Sequence, residues 1–376
     1  MKKKLAVTII FIAVLVFPMA FWPLLNYVEN VEIYENRAPA PYPDTFDNEY
    51  FSKFDKYFLD RLPLRKTSIK VYTDTQLMFN KAYDKLLSAL NIDHYIEQNF
   101  VVFGKEEWLF YSNDNSLDYF RGTNLPDESE LQRYAERARI VSDYFKSQGK
   151  DFVIMIMPNK EQIYTEYMPT GIKAHTQNKR MDIINDYFAE KSNVKFLYPK
   201  QALLNAKQQY QVYYKQDTHW SKAGGYTGTV ELLDKLGIAR GEATLTPTEL
   251  YRADLAKMLL QSPIKDVDYD CVYRAEIKHS VSFYDEVHMC KTDNPNGRKM
   301  VLLGDSFREN MIDVLCKEFS ESLIAHRNRF GESYNYFNEA ISAADVVVFQ
   351  AVERYEGQIF ASGGLLDKFI DLYNLH

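Results

Sequence analysis

Cysteine is scarce in this chain, with three residues in 376, at positions 271, 290 and 316. No two form a Cys-x-x-Cys pair, and the seven histidines (94, 175, 219, 279, 288, 326 and 376) are scattered, so zinc-ligand spacing is absent and no metal is expected. Positive charge is in deficit too. The 45 Lys and Arg stand against 52 Asp and Glu, a formal net charge of −7, which argues against a nucleic-acid partner because such proteins present a basic face. There is no internal repeat and no low-complexity tract, and 46% hydrophobic residues exclude wholesale disorder.

Long apolar runs are limited to one. Met1-Lys2-Lys3-Lys4 leads into Leu5 to Leu25, twenty-one residues without a charge. At 1.5 Å per residue a helix of that length reaches roughly 31 Å, the hydrocarbon thickness of a bilayer. The small-x-small site that a cleaved signal peptide needs is weak here, since Pro18-Met19-Ala20 is followed by Phe21-Trp22-Pro23. Lysines before the run and Glu29, Glu32 and Glu35 after it keep the amino terminus cytoplasmic, and Trp22 and Tyr27 sit where interfacial aromatics belong. Residues 1–28 therefore read as an uncleaved signal anchor with the rest of the chain extracytoplasmic; a cleaved leader, giving a secreted or periplasmic protein, is the alternative. Without those residues, 42 basic groups face 52 acids, a balance of −10. In an oxidising compartment Cys271 and Cys290 are placed to pair, leaving Cys316 alone.

Three prolines at 39, 41 and 43 predict an extended stretch after the anchor. Phe51, Phe54, Phe58 and Leu62 recur at helical spacing, so residues 47–60 read as an amphipathic helix, and 66–90 as another. Residues 29–95 thus form a stalk and helical arm. A hairpin follows, Phe100 to Lys105 and Glu107 to Tyr111, around a Gly-Lys-Glu-Glu turn. From 128 onward helix and strand alternate. Apolar runs at 152–157, 300–303 and 345–350 suit strands buried on both faces of a mostly parallel sheet, an α/β sandwich. Residues 240–298 break this rhythm and read as an insertion in the domain that spans 96–376.

Ligands of such sheets bind beyond the carboxyl ends of the strands. Three strand ends turn polar at once, into Pro158-Asn159-Lys160-Glu161, Gly304-Asp305-Ser306-Phe307-Arg308 and Gln350-Ala351-Val352-Glu353-Arg354. Strand, Gly-Asp-Ser, then helix puts the Ser306 hydroxyl at a helix amino terminus, which favours a developing oxyanion; a plain helix cap is the competing reading. Asp217-Thr218-His219 supplies a carboxylate and an imidazole two residues apart, which in an extended segment point the same way. Asp217, His219 and Ser306 make a candidate triad.

These blocks resemble a known family. Gly304-Asp305-Ser306 resembles the nucleophile block of SGNH hydrolases, and Asp217-Thr218-His219-Trp220 the Asp-x-His-Trp element of AlgX/AlgJ-like alginate O-acetyltransferases and the related DHHW proteins, with Thr218 where the DHHW name expects histidine. Further matches are Glu35-Asn36-Arg37, Asp60-Arg61-Leu62-Pro63-Leu64-Arg65, Gly104-Lys105-Glu106-Glu107-Trp108-Leu109-Phe110, Pro158-Asn159-Lys160-Glu161 and Val352-Glu353-Arg354. The resemblance implies an SGNH-like three-layer sandwich that moves acetyl onto an exported polysaccharide, with a membrane-bound O-acyltransferase as acetyl donor and no cofactor. By position Ser306 is the nucleophile, His219 the general base and acid, and Asp217 its orienter. Asn159 is a candidate oxyanion donor. Lys160, Arg308, Arg354 and Tyr226 are candidates for oxyanion or substrate binding. An acetylesterase with the same triad and a non-catalytic glycan-binding scaffold are the rival functions.

Overall fold

The computed structural model describes residues 2–20, 38–284, 286–294, 297–331 and 334–375. The amino-terminal helix runs Lys2–Ala20. The rest of the expected anchor, with Trp22 and Tyr27, lies outside the described residues, as does Glu35-Asn36-Arg37. Among the described residues no helix is long and apolar enough to cross a membrane.

The arm comprises helices Tyr50–Leu59 and Arg65–Ala89. Residues around the prolines are extended and clasped to the turn between these helices. The Ala40 N–H donates to Asp60 Oδ2 at 2.8 Å, and Arg61 Nη1 donates to the Ala40 carbonyl at 2.9 Å. Asp60-Arg61 therefore serves to close the arm on itself, which explains its charge pattern.

A small antiparallel sheet, β1 (Ile96–Gln98), β2 (Val101–Phe103) and β3 (Leu109–Tyr111), contains the expected hairpin. The main sheet uses β4 (Asp151–Met157), β5 (Lys195–Leu197), β8 (His279–Tyr284), β9 (Val287–Thr292), β10 (Lys299–Gly304), β11 (Glu321–His326) and β12 (Val346–Val352), while β6 (Ala243–Leu250) and β7 (Asp266–Tyr273) pair as a separate ribbon. The order across the main sheet is β5-β4-β12-β10-β11-β9-β8. β5 through β11 are parallel; β9 and β8 extend the edge antiparallel. Residues 240–298, read as an insertion, thus add two strands to the central sheet as well as the ribbon.

Alternate residues of β4 enter opposite cores. Val153, Met155 and Met157 pack with helices Lys222–Lys235 and Ile312–Glu318 on one face. Phe152, Ile154 and Ile156 meet helices Glu128–Ser147, Arg180–Lys191 and Leu365–Leu372 on the other. Burial on both faces is why the run is uninterrupted by polar residues. Phe145, fully buried between these layers, contributes on the order of 2–3 kcal/mol by leaving water.

The cysteine pairing differs from expectation. The disulfide joins Cys290 on β9 to Cys316 on helix Ile312–Glu318, and Cys271 is free. Cys290 and Cys316 lie on adjoining layers with Cα atoms 5.3 Å apart, within the span a disulfide bridges. Spacing along the chain does not reveal that contact.

Candidate active site

Gly304 closes β10, and its place is set by space. A Cβ there would lie 1.9 Å from Gln350 Oε1 on the neighbouring β12. Asp305 then locks the turn. Its Oδ1 accepts from the Phe307 N–H at 3.0 Å and from Gln350 Nε2 at 2.9 Å, and Oδ2 accepts from the Val352 N–H at 2.6 Å. Ser306 opens a 3₁₀ turn, Ser306–Met311, and its side chain is exposed beyond the strand ends.

The second arm is residues 213–220. Tyr213 and Trp220 form an isolated antiparallel bridge, and the Tyr214 N–H donates to the His219 carbonyl at 3.2 Å. Between them the chain bends; it is not the extended segment expected. Asp217 and His219 still meet, because Asp217 Oδ1 accepts both the His219 backbone N–H (3.0 Å) and sits 2.6 Å from His219 Nδ1. An Asp closing a turn on the residue two further on is a local hydrogen-bond motif. The two arms are stitched directly: Trp220 Nε1 donates to the Phe307 carbonyl at 2.8 Å, and Asn310 Nδ2 to the Trp220 carbonyl at 2.7 Å. With this the His219 Nε2 lies 2.7 Å from Ser306 Oγ. The structure brings Asp217, His219 and Ser306 into one hydrogen-bonded line.

Burial by itself would raise the Asp217 carboxyl, but the hydrogen bond and charge of His219, with Arg252 Nε 3.4 Å away, hold it well below the usual carboxylate range. A second carboxylate stands behind it. Asp254 Oδ2 is 3.5 Å from His219 Nδ1 and accepts from Thr218 Oγ1 at 2.5 Å, and its backbone N–H donates to Asp217 Oδ2 at 3.1 Å. Burial and the charge of Asp217 push the Asp254 carboxyl up. Asp217, His219 and Asp254 offer donor atoms within 4.8 Å of one another, a set that a cation could use. Each carboxylate oxygen already accepts a protein N–H or O–H or faces Arg252, which suits orientation of the imidazole.

Asn159 is fully buried just beyond the end of β4. Its N–H donates to Glu353 Oε2 at 2.8 Å, and its Oδ1 accepts from the Arg354 N–H (3.4 Å) and Nη1 (3.3 Å). Asn159 Nδ2 has no acceptor among the described residues. The Arg354 guanidinium itself lies over the rings of Tyr355, Tyr111 and Phe307, 5.2, 5.3 and 5.8 Å from their centres.

A family model described as "SGNH hydrolase-like domain, acetyltransferase AlgX" matches residues 101–324. The chain belongs to this AlgX family. The probable alginate O-acetylase AlgJ of Pseudomonas putida is 26% identical over 174 residues, which is 44% of this chain and 43% of that protein. Its namesake in Pseudomonas syringae pv. tomato is 27% identical over 134 residues, 35% of this chain and 32% of that one. The chain thus spans less than half the length of the curated relatives it matches. Among solved structures, a DHHW family protein from Eubacterium siraeum superposes with a TM-score of 0.51 at 14% identity, over 73% of this chain and 97% of that one. That likeness shows the shared fold.

Within this AlgX-family site, some expected ligand-binding residues have other work. Lys160 is buried and its Nζ donates to the carbonyls of Tyr214 (3.1 Å), Lys215 (3.0 Å) and Asp217 (2.8 Å). It holds the His219 turn in place, and burial pulls its ammonium down to about 8. Arg308, buried, donates to the carbonyls of Asp305 (2.9 Å) and Glu286 (3.2 Å), bracing the serine turn. Tyr226 packs its ring 6.1 Å from Tyr273 of β7 and joins the core. Trp220 is fully buried, its ring 5.5 Å from that of Phe307.

Sequence reading missed Asp254, Arg252 and Glu353. The first two fall in the region taken as an insertion, and no local pattern ties them to a histidine more than thirty residues earlier. Glu353 had a signal, an acid directly after an apolar strand.

Proposed function

We propose that this chain transfers acetyl groups to hydroxyls of an exported or cell-surface polysaccharide through an acetyl-serine at Ser306. The observation that carries the reading is the continuous line from Ser306 Oγ to His219 Nε2 at 2.7 Å and from His219 Nδ1 to Asp217 at 2.6 Å, at the exposed end of a parallel sheet. Membership of the AlgX family supports the acetyl chemistry.

His219 Nε2 takes the Ser306 proton as Oγ attacks the donor carbonyl; Asp217 stabilises the imidazolium that forms. The oxyanion is received by the Ser306 N–H and by Asn159 Nδ2. Arg354 fixes the amide of Asn159 by occupying its oxygen, so the nitrogen is the atom left to donate. Collapse expels the donor's leaving group with the proton from His219, giving acetyl-Ser306. A sugar hydroxyl then loses its proton to His219 and attacks the ester, and collapse restores Ser306.

The acetyl donor is supplied by a membrane-bound O-acyltransferase, and residues 1–28 anchor the chain beside it with the domain extracytoplasmic. Mass measurement of the mature amino terminus separates anchor from cleaved leader. The relatives' names specify alginate for those proteins; the acidic balance of this chain leans toward a neutral or amino-sugar polymer. Exposure of Ser306 supports one second reading, an acetylesterase in which water replaces the sugar.

The test uses the full-length chain in detergent, 4-nitrophenyl acetate, and an oligosaccharide acceptor, beside Ser306→Ala and His219→Ala. Acetylated sugar from wild type, with a loss of about 10³-fold or more in each variant, is the expected result. Free acetate regardless of acceptor establishes the esterase. Equal rates for all three proteins defeat both.

A further inference from the structure

The arm helix Arg65–Ala89 is turned the reverse way for a helix that serves one chain alone. A surface helix ordinarily sets its apolar stripe against the core and its charges in water. Here Lys70, Asp74, Lys81 and Asp84 line the cleft between helix and domain, and the helix fully buries Thr73 alone. On its other side seven large apolar side chains, from Val71 to Leu90, are each more than half exposed. At 3.6 residues per turn they fall within an arc of roughly 140°.

Aromatic side chains bury about 150–250 Å² each and aliphatic ones less, so seven that are more than half exposed present roughly 700–900 Å² of apolar surface. The largest apolar patch on a typical monomer is about 300–600 Å². An interface of standard size buries about 800 Å² on each partner. The stripe therefore has the area of one protein–protein interface.

The order of side chains along the stripe identifies the partner. Tyr72, Phe79 and Leu86 recur every seven residues, and so do Thr75, Ala82 and Ala89, which is the spacing of a coiled-coil seam. With a two-fold axis crossing the helix between Asn80 and Lys81, a second copy runs antiparallel. Tyr72 then faces Ala89, Phe79 faces Ala82, and Leu86 faces Thr75, a large residue over a small one in every layer. Beside them Val71 meets Leu90 and Met78 meets Tyr83. All ten of these residues are exposed. At the margin Gln76 meets Lys85, so none of these pairs sets like charges together. Large over small lets side chains interdigitate at the spacing of packed helices, about 8–10 Å. A surface that complements itself about one axis is what a two-fold dimer requires. A lipid surface makes no such demand for small residues in alternate layers.

We propose that the chain forms a homodimer through its arm, with the Arg65–Ala89 helices of two copies packed antiparallel about an axis between Asn80 and Lys81. No residue of this pairing belongs to the Ser306 site, so the inference stands or falls apart from the acetyl-transfer reading.

Disulfide trapping of the full-length chain in phosphatidylcholine vesicles, in a Cys271→Ser background, tests partner and register together. Tyr72→Cys and Ala89→Cys are made singly, on proteins carrying tags of different mass, and mixed before reconstitution. Oxidation with copper–phenanthroline should give the mixed dimer in about tenfold or greater excess over either like pair, because like positions stand about 26 Å apart in the antiparallel arrangement. Phe79→Glu, exposed in one chain and buried in the pair, should abolish the cross-link and turn the dimer into a monomer in sedimentation equilibrium. Circular dichroism checks that the variant keeps its helices. Like pairs formed as readily as the mixed one, no cross-link at all, or a dimer indifferent to Phe79→Glu overturns the pairing. So does quenching by brominated lipid of a fluorophore on Ala82→Cys, which would assign the face to the membrane.

Discussion

Replacing Asp217 by asparagine removes the carboxylate that faces His219 Nδ1 at 2.6 Å, but not the field of Asp254 at 3.5 Å. Unit charges at those separations interact by roughly 6 and 5 kcal/mol at an effective dielectric of about 20. The second figure must be discounted, because the Asp254 side chain is 33% exposed and partly screened. In the other direction, the charge of Asp217 is one of the two causes that raise the Asp254 carboxyl. Its loss therefore leaves Asp254 more fully ionised and better able to stabilise the imidazolium. Loss of the aspartate in a serine triad ordinarily lowers kcat by about 10⁴-fold. Here Asp217→Asn should lower kcat for 4-nitrophenyl acetate by only about 10²–10³-fold, and Asp254→Asn by less than about tenfold. The double variant should fall a further tenfold or more, about 1.4 kcal/mol, below Asp217→Asn, a larger step than Asp254→Asn causes alone, and the coupling is the difference between those two steps. Steady-state rates of the four proteins at one pH form the cycle. If the double variant is no slower than Asp217→Asn, Asp254 does not assist the imidazole.

Two other outcomes follow from buried groups. Burial pushes Glu353 from an ordinary value near 4.5 up to about 8, against the pull of the Asn159 N–H. Across that window the folded chain retains a proton that the unfolded chain has released, so stability should fall as pH rises from about 4.5 to about 8. Glu353→Gln cannot ionise and should flatten the decline, read from urea midpoints at several pH values; parallel curves for the two proteins would contradict the assignment. The Cys290–Cys316 link closes 26 residues, and in the loop-entropy account its removal in Cys290→Ser/Cys316→Ser costs about 3.5 kcal/mol. Thiol titration of the unreduced, denatured chain should find one group, Cys271; a peptide map joining Cys271 to Cys290 would refute the pairing.

Much of the fold is legible along the chain because its signals are local. The unbroken apolar run of β4 requires burial on both faces, and the turn into Gly-Asp-Ser announces a strand end with a hydroxyl on it. The 3.6-residue rhythm of helices Glu128–Ser147 and Lys222–Lys235 has the same origin. Asp217, His219 and Ser306, the hydrogen-bonded line proposed above as a triad, were recognisable for a similar reason: such an arrangement needs particular residue types at strand ends and turns.

Scarcity of cysteine, the acidic balance and a single apolar run narrowed the function classes, since they are sums over the chain and need no coordinates. What each polar residue touches is a different matter. Lys160 and Arg308 have the composition of ligand-binding residues, yet folding surrounds them with carbonyls and makes them braces for the two turns that carry His219 and Ser306. Asp254 joins the site from a region that breaks the helix–strand rhythm, and Cys316 rather than Cys271 meets Cys290 because a helix lies across β9. Residue chemistry is written in the sequence, but partnership over long separations depends on packing, and packing alone decided these.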